Sequence, residues 1–312
     1  MNWKLKIRHG VLLCGLAIGL YIAYCHLQKD PPLSSYEGKN ITAILNIMPA
    51  RDKQRLEYFF EELIGWDAFG YVLFGDKPMS LGSCNKKIDP FRCLSSFRYA
   101  ISPRRIQSKN GFETWRKYEK LFPMSRFVFL YEETPSDTTF FFINKKNFIQ
   151  TVESCKDSFK RILNREVTGE QLLKEGTYKP LLSEVLADND ELMGILFGFG
   201  LENARLFHQK SLLASEKEQA DFCERFHLGD PWKKENEELD KKLDSIGWIS
   251  AYFTGSHLKN LDLITLPGFH AIIDHPETLR LRQHYLETRQ KIIEHYKNKD
   301  FLETTLRMLT SD

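Results

Sequence analysis

The sequence predicts an α+β fold: a helix-rich domain around a small, mainly antiparallel sheet, preceded by an N-terminal transmembrane helix. Three observations carry this expectation. Apolar residues recur at helical spacing over several long stretches, two short aromatic runs flank a cluster of turn residues, and Lys4, Lys6 and Arg8 precede an uncharged run from Val11 to Leu27. The first pattern is one face of an amphipathic helix and the second a hairpin. The third is a membrane span whose basic flank keeps the N-terminus in the cytoplasm.

The run 11–27 lies at the short end of the roughly 20 residues that a spanning helix needs. Trp3 on one side and Tyr21 and Tyr24 on the other suit the two interfaces. A cleaved signal peptide is the rival reading, but Ala23-Tyr24-Cys25 makes a poor cleavage site. A lipid anchor would need a small residue before the modified cysteine, whereas Leu13 precedes Cys14 and Tyr24 precedes Cys25. The organisation expected is therefore a signal-anchor at 1–27, a polar stalk at 28–40 containing Pro31-Pro32, and an extracytoplasmic α+β domain at 41–312.

Within that domain, Leu56, Phe59, Phe60, Leu63 and Ile64 mark one face of a helix that follows Pro49 and ends at Gly65. Phe69 to Phe74 (FGYVLF) reads as a strand turned by Gly75-Asp76-Lys77-Pro78. A short helix is expected over 110–121, starting at Asn110 or Gly111. RFVFLY at 126–131 and TTFFFI at 138–143, separated by EETPSD, predict a hairpin. Asn144 then opens a long helix striped by Phe148, Ile149, Val152, Cys155, Phe159 and Ile162. Thr168 with Gln171 forms a capping-box signature, and Asp188 or Asn189 caps the next helix. Residues 215–244 read as a charged, solvated helical segment, 248–253 and 269–273 as strands, and 276–308 as helical with a break near Asn298.

Charge bounds the function. Without Lys4, Lys6 and Arg8 the chain holds 41 Lys+Arg against 42 Asp+Glu. So balanced a domain carries no electrostatic footprint for nucleic acid. Cys84 and Cys93 are spaced to close a short loop in an oxidising compartment, but Cys84, Cys93, Cys155 and Cys223 read equally as separate buried thiols. Asn40-Ile41-Thr42 fits the glycosylation triplet.

No catalytic set stands out, and neither a cofactor nor a metal is expected. The weak catalytic candidates are Asp76 and Lys77, in a glycine-bordered turn, and His270, Asp274 and His275. The five-residue step from His270 to His275 matches neither one helix face nor one strand face, and residues before Pro276 also suit a helix start. Asp188-Asn189-Asp190 has an Asp-x-Asp form that can hold a divalent ion, and the form of a helix cap. Gly194 and Gly198 at helical spacing fit close helix packing better than a phosphate loop, because no Lys-Ser/Thr follows. Ser256-His257 lacks a nucleophile elbow, and Cys93 to Arg98 is one residue short of a phosphatase loop. Glu132 and Glu133 can supply an acid at a strand end.

Two stretches, Phe69 to Pro78 (FGYVLFGDKP) and Gly194 to Ala204 with its Glu202-Asn203-Ala204, resemble uncharacterised membrane-anchored proteins of chlamydia-like intracellular bacteria. The resemblance spans the exported domain as a pattern and covers no catalytic motif. It implies a bacterial inner-membrane anchor and a periplasmic domain, in which Asn40 would be an accidental triplet.

These readings lead to a single-pass, envelope-associated interaction or assembly protein, held to the membrane through residues 11–27 and meeting an unidentified protein partner. The alternative is an extracytoplasmic hydrolase or glycosyl-type transferase, with a site joining Gly75–Pro78 to His270–His275. A third option is a lipid or peptide module using the Phe-rich sheet. The anchor is tested by the intact mass of the protein taken from its own membrane: Met1 to Leu27 are expected to be retained, and a chain shortened past Cys25 would replace the anchor with a cleaved signal.

Overall fold

Residues 127–144 build the centre of the domain. In the computed structural model, which describes residues 31–65, 67–85, 103–246 and 264–311, the hairpin forms as expected. The expected span at 11–27, the strand at 248–253, and Cys93, Arg98, Ser256 and His257 lie outside the described residues. Among the described residues no helix is long and apolar enough to cross a membrane.

The chain divides into two compact units at Ala50. In the first, Leu33–Tyr36 form a 3-10 turn with Tyr36 buried, so this end of the stalk is folded rather than an open spacer. Asn40 caps α1 (Ile41–Ile47) by accepting from the Ala43 amide at 2.9 Å.

The second unit begins with α2 (Ala50–Gly65), whose five apolar stripe residues are all buried. Residues 69–74 correct the expectation of a strand: they form α3 (Phe69–Phe74). A short continuous apolar run has no period that separates a strand from a helix buried all round. Phe69 to Leu73 are all buried here. The strand comes one turn later, as β1 (Met79–Asn85). The next helix, α4 (Pro103–Tyr118), starts earlier than Asn110. Gly111 is an approach point, since a β-carbon there would lie 2.8 Å from the Arg55 carbonyl and from Phe59 of α2.

β2 (Phe127–Glu133) and β3 (Asp137–Asn144) pair antiparallel, and β1 joins the other side of β3 antiparallel, giving the order β1-β3-β2. The register sets Ser80, Phe142 and Phe129 in line on one face and Leu81, Phe141 and Leu130 on the other. The first face is aromatic. Phe142 stacks on Phe69 of α3 at 4.0 Å, and Phe140 on Phe112 of α4 at 5.4 Å. The second face is aliphatic and is covered by α5 (Lys145–Ser154), α6 (Lys156–Leu163), α7 (Gly169–Glu175) and a π-turn at Leu181–Val185. Both faces of the central strand β3 are therefore covered. Asn144 caps α5, the expected long helix breaks at Cys155, and Thr168 with Gln171 makes the expected capping box. Glu132 is no acid catalyst: its carboxylate accepts from the Leu181 and Leu182 amides at the start of the π-turn.

The rest is helical. α8 (Asp190–Leu196), α9 (Leu201–Ser211) and α10 (Glu216–Arg225) lead to β4 (Leu228–Gly229) and α11 (Lys233–Ile246). The 269–273 strand narrows to β5 (Ala271–Ile272), paired antiparallel with β4. α12 (Pro276–Tyr296) lies along α3, where Tyr71 meets Tyr285 edge-on at 5.6 Å. Asn298, at φ +61°, makes the expected break before α13 (Phe301–Thr310).

Gly82 of β1 faces Phe140 so closely that a methyl group there would run into the ring. Gly82→Ala is expected to lower unfolding stability by about 1–3 kcal/mol through overpacking. Urea denaturation measures this, and an unchanged midpoint would show that the ring moves aside freely.

Candidate functional site

The site is organised by the turn between α8 and α9. Asn189 starts α8, its side chain accepting from the Glu191 and Leu192 amides at 3.0 and 3.2 Å. That is the cap reading of Asp188-Asn189-Asp190 rather than the metal reading. α8 ends in a Schellman arrangement, with Gly198 N–H bonded to the Ile195 carbonyl and Phe199 N–H to the Gly194 carbonyl, both at 3.0 Å. Gly198 has φ +71°, the left-handed value this motif favours for glycine. Only Gly194 therefore keeps the expected packing role: a β-carbon there would lie 2.8 Å from that of Ala204 on α9.

The polar groups left by the turn are satisfied by side chains, most of them from distant segments. Lys77 Nζ donates to the Phe197 carbonyl, Tyr285 Oη donates to the Gly198 carbonyl at 2.7 Å, and Asn203 Nδ2 donates to the Phe199 carbonyl at 2.9 Å. The Leu201 and Glu202 amides at the start of α9 donate to Glu277 Oε1 and Oε2 at 3.0 and 3.2 Å. Glu277 also lies in the first turn of α12, so one carboxylate faces two helix N-termini. The second amide end of Asn203 is used as well: its Oδ1 accepts from the Ile272 amide and the Thr278 hydroxyl.

Lys77 is the unusual member. It is 3% exposed, and among the described residues no carboxylate pairs with it. Its ammonium instead faces rings, 4.9 Å from the Phe199 centroid, 5.8 Å from Phe197 and 5.9 Å from Tyr285. Burial pushes the amine down to about 7. Its neighbour Asp76 is 70% exposed and meets His284 Nε2 at 2.5 Å. That hydrogen bond holds Asp76 below the usual carboxylate range and raises His284.

Two cavities flank the turn. The more polar one, about 420 Å³, is lined by Asp76, Lys77, Cys155, Glu277, Arg280 and His284 among others. The larger, about 620 Å³, is walled by Phe197, Phe199, Phe207, Phe269 and Met193, with Asp190, Asp230 and His270 at its edge. The five candidates from the sequence thus separate. Asp76 and Lys77 line the first cavity and His270 the second. His275 is a helix cap, its Nδ1 accepting from the Glu277 amide at 3.3 Å, and Asp274 is exposed in the preceding turn. Among the described residues, neither of these cavities joins Gly75–Pro78 to His270–His275.

Beside the Asp76–His284 pair, the described residues place the Lys77 amine and the Cys155 thiol in the same cavity. Burial pushes that thiol up, opposite to what a reactive thiolate needs. Cys155 and Cys223 carry free thiols, while the loop expected between Cys84 and Cys93 reaches outside the described residues. Among the described residues, His, Cys, Asp and Glu form no group of three placed to hold a metal ion. His284, Tyr285 and Glu277 carried no signal in the sequence beyond lying on an amphipathic helix. Comparison of the chain with family models, with curated proteins and with solved structures gave no match.

The depressed amine gives a pH test. Between about pH 7 and 10.5, Lys77 is neutral when folded and charged when unfolded. The unfolded state then binds the extra proton, so this residue makes stability rise with pH across that window and leaves it flat below. Urea unfolding of Lys77→Met against the natural chain is expected to show that slope reduced. Equal slopes would mean that the buried amine stays charged.

Proposed function

We propose that the chain is a single-pass membrane-anchored protein whose extracytoplasmic domain works by binding, as an envelope-associated interaction or assembly protein. The carrying observation is that Asp76, Lys77 and His275 each hold a structural hydrogen bond, and that the 76–77 pair and His270 line different cavities. Asp76 holds His284, Lys77 holds the Phe197 carbonyl, His275 holds the Glu277 amide, and Asp76 and His270 line different cavities. The larger cavity is walled by phenyl rings, which offer contact area and no acid–base chemistry. The anchor rests on the charge pattern of residues 4–27, and a periplasmic placement on the resemblance to chlamydia-like proteins.

A second reading, an extracytoplasmic hydrolase or glycosyl-type transferase, is favoured by one feature: the Asp76–His284 pair beside a low-pKa amine. In that form the site draws on the 75–78 turn and α12, without His270–His275.

The two readings part in a crosslinking experiment on native membranes. A photoreactive side chain is placed next to the larger cavity, and capture of a defined partner is compared across variants. Binding predicts capture that survives Asp76→Asn, Lys77→Met and His284→Ala and is lost with Phe207→Ala. Capture that instead depends on Asp76, Lys77 or His284 would favour the enzyme.

A further inference from the structure

We propose that the cavity between α8, α9 and residues 268–270 binds an apolar organic cation: an alkylated ammonium carried on an aromatic or alkyl body. This rests on the binding reading above and names the class of ligand.

The volume, about 620 Å³, lies within the range of small-molecule sites. Its walls choose the chemistry. Phe197, Phe199, Phe207 and Phe269 line it with rings that carry no polar tip, Phe199 and Phe269 stack on each other at 4.8 Å, and the free face of such a ring attracts positive charge. Asp190 and Asp230 are the carboxylates among the lining residues, and no lysine or arginine lines the cavity. His270 is kept toward its neutral form, first by burial and then by nearby Lys210. Asn203 has no spare donor for an anion, because both ends of its amide are tied to Phe199, Thr278 and Ile272. The lining thus combines aromatic rings with two carboxylates, and it holds no cationic side chain to pair with a carboxylate or phosphate ligand, the neutral His270 offering a single N–H.

Lys77, which is not among the cavity's lining residues, places its ammonium 4.9 Å from the Phe199 ring and 5.8 Å from Phe197. Lys77 and Lys210 oppose a further cation, and the two aspartates offset them. Asp190 and Asp230 also have local roles, accepting from the Ser211 hydroxyl at 2.5 Å and the Trp232 amide at 2.8 Å. Asparagine retains an acceptor for both, so the charge can be removed with those bonds kept.

The test is calorimetric titration of the full-length chain in lipid nanodiscs with three probes of similar bulk: benzyltrimethylammonium, neutral N,N-dimethylbenzamide and anionic phenylacetate. The cation is expected to bind at least about tenfold more tightly than the amide, with phenylacetate weakest. Asp190→Asn combined with Asp230→Asn is expected to bring the cation down to the level of the amide. Phe207→Ala, at a wall residue already 37% exposed, is expected to weaken both without unfolding the domain. An amide that binds as tightly as the cation, or a cation indifferent to the double variant, overturns the ligand class while the binding reading stands. Failure of all three probes overturns the proposal and removes this cavity from the binding reading as well.

Discussion

The domain depends on one satisfied turn. Between Phe197 and Glu202 three carbonyls and two amides are met by side chains: four of them by Lys77, Tyr285 and Glu277 from distant parts of the chain, and the Phe199 carbonyl by Asn203 of α9. An unpaired buried backbone group costs about 1–3 kcal/mol, so these bonds are conditions for the turn to exist in its place. They also fix what surrounds it. Lys77 ties the turn to the start of β1, Tyr285 and Glu277 tie it to α12, and Asn203 ties it to β5 through the Ile272 amide. Both cavities are lined in part by residues of this turn.

Lys77 shows how the parts trade against one another. Burying an amine without a carboxylate is unfavourable, and here its cost is offset by a carbonyl at a helix C-terminus and by three ring faces. A carboxylate in place of the rings would form a tighter pair but would put a second charge into the core. The arrangement leaves Asp76, next in sequence, at the surface to hold His284. Neighbouring residues therefore serve opposite environments, which is what an extended entry into a strand imposes.

Local pattern revealed much of the fold. The stripe of α2, the 127–144 hairpin, the caps at Asn144, Thr168 and Asn189, and the break at Asn298 were legible because each is decided within a few residues. Phe69 to Phe74 was not, since a run that is apolar on every side has no face to read, and only packing between the sheet and α12 makes it a helix. The site was half legible. Asp76, Lys77 and His270 do line cavities, yet their company was hidden: His284 stands 208 residues from Asp76, and Phe197 stands 120 from Lys77. Gly194 and Gly198 suggested close packing by spacing alone, while Gly198 also takes a positive φ.

Those separations bear on when the site comes into being as the chain is made and folds. Contacts that span most of the chain close only after the intervening segments are ordered, and such closure is slow. A nascent chain without Tyr285 lacks one of the groups that hold the turn, and one without Glu277 lacks a second. The hairpin and the caps of α5 and α7 need none of this and can form early. The smaller cavity, lined by Glu277, Arg280, His284 and Tyr285 of α12, is therefore complete only once that helix docks, whereas the lining of the larger one ends at His270.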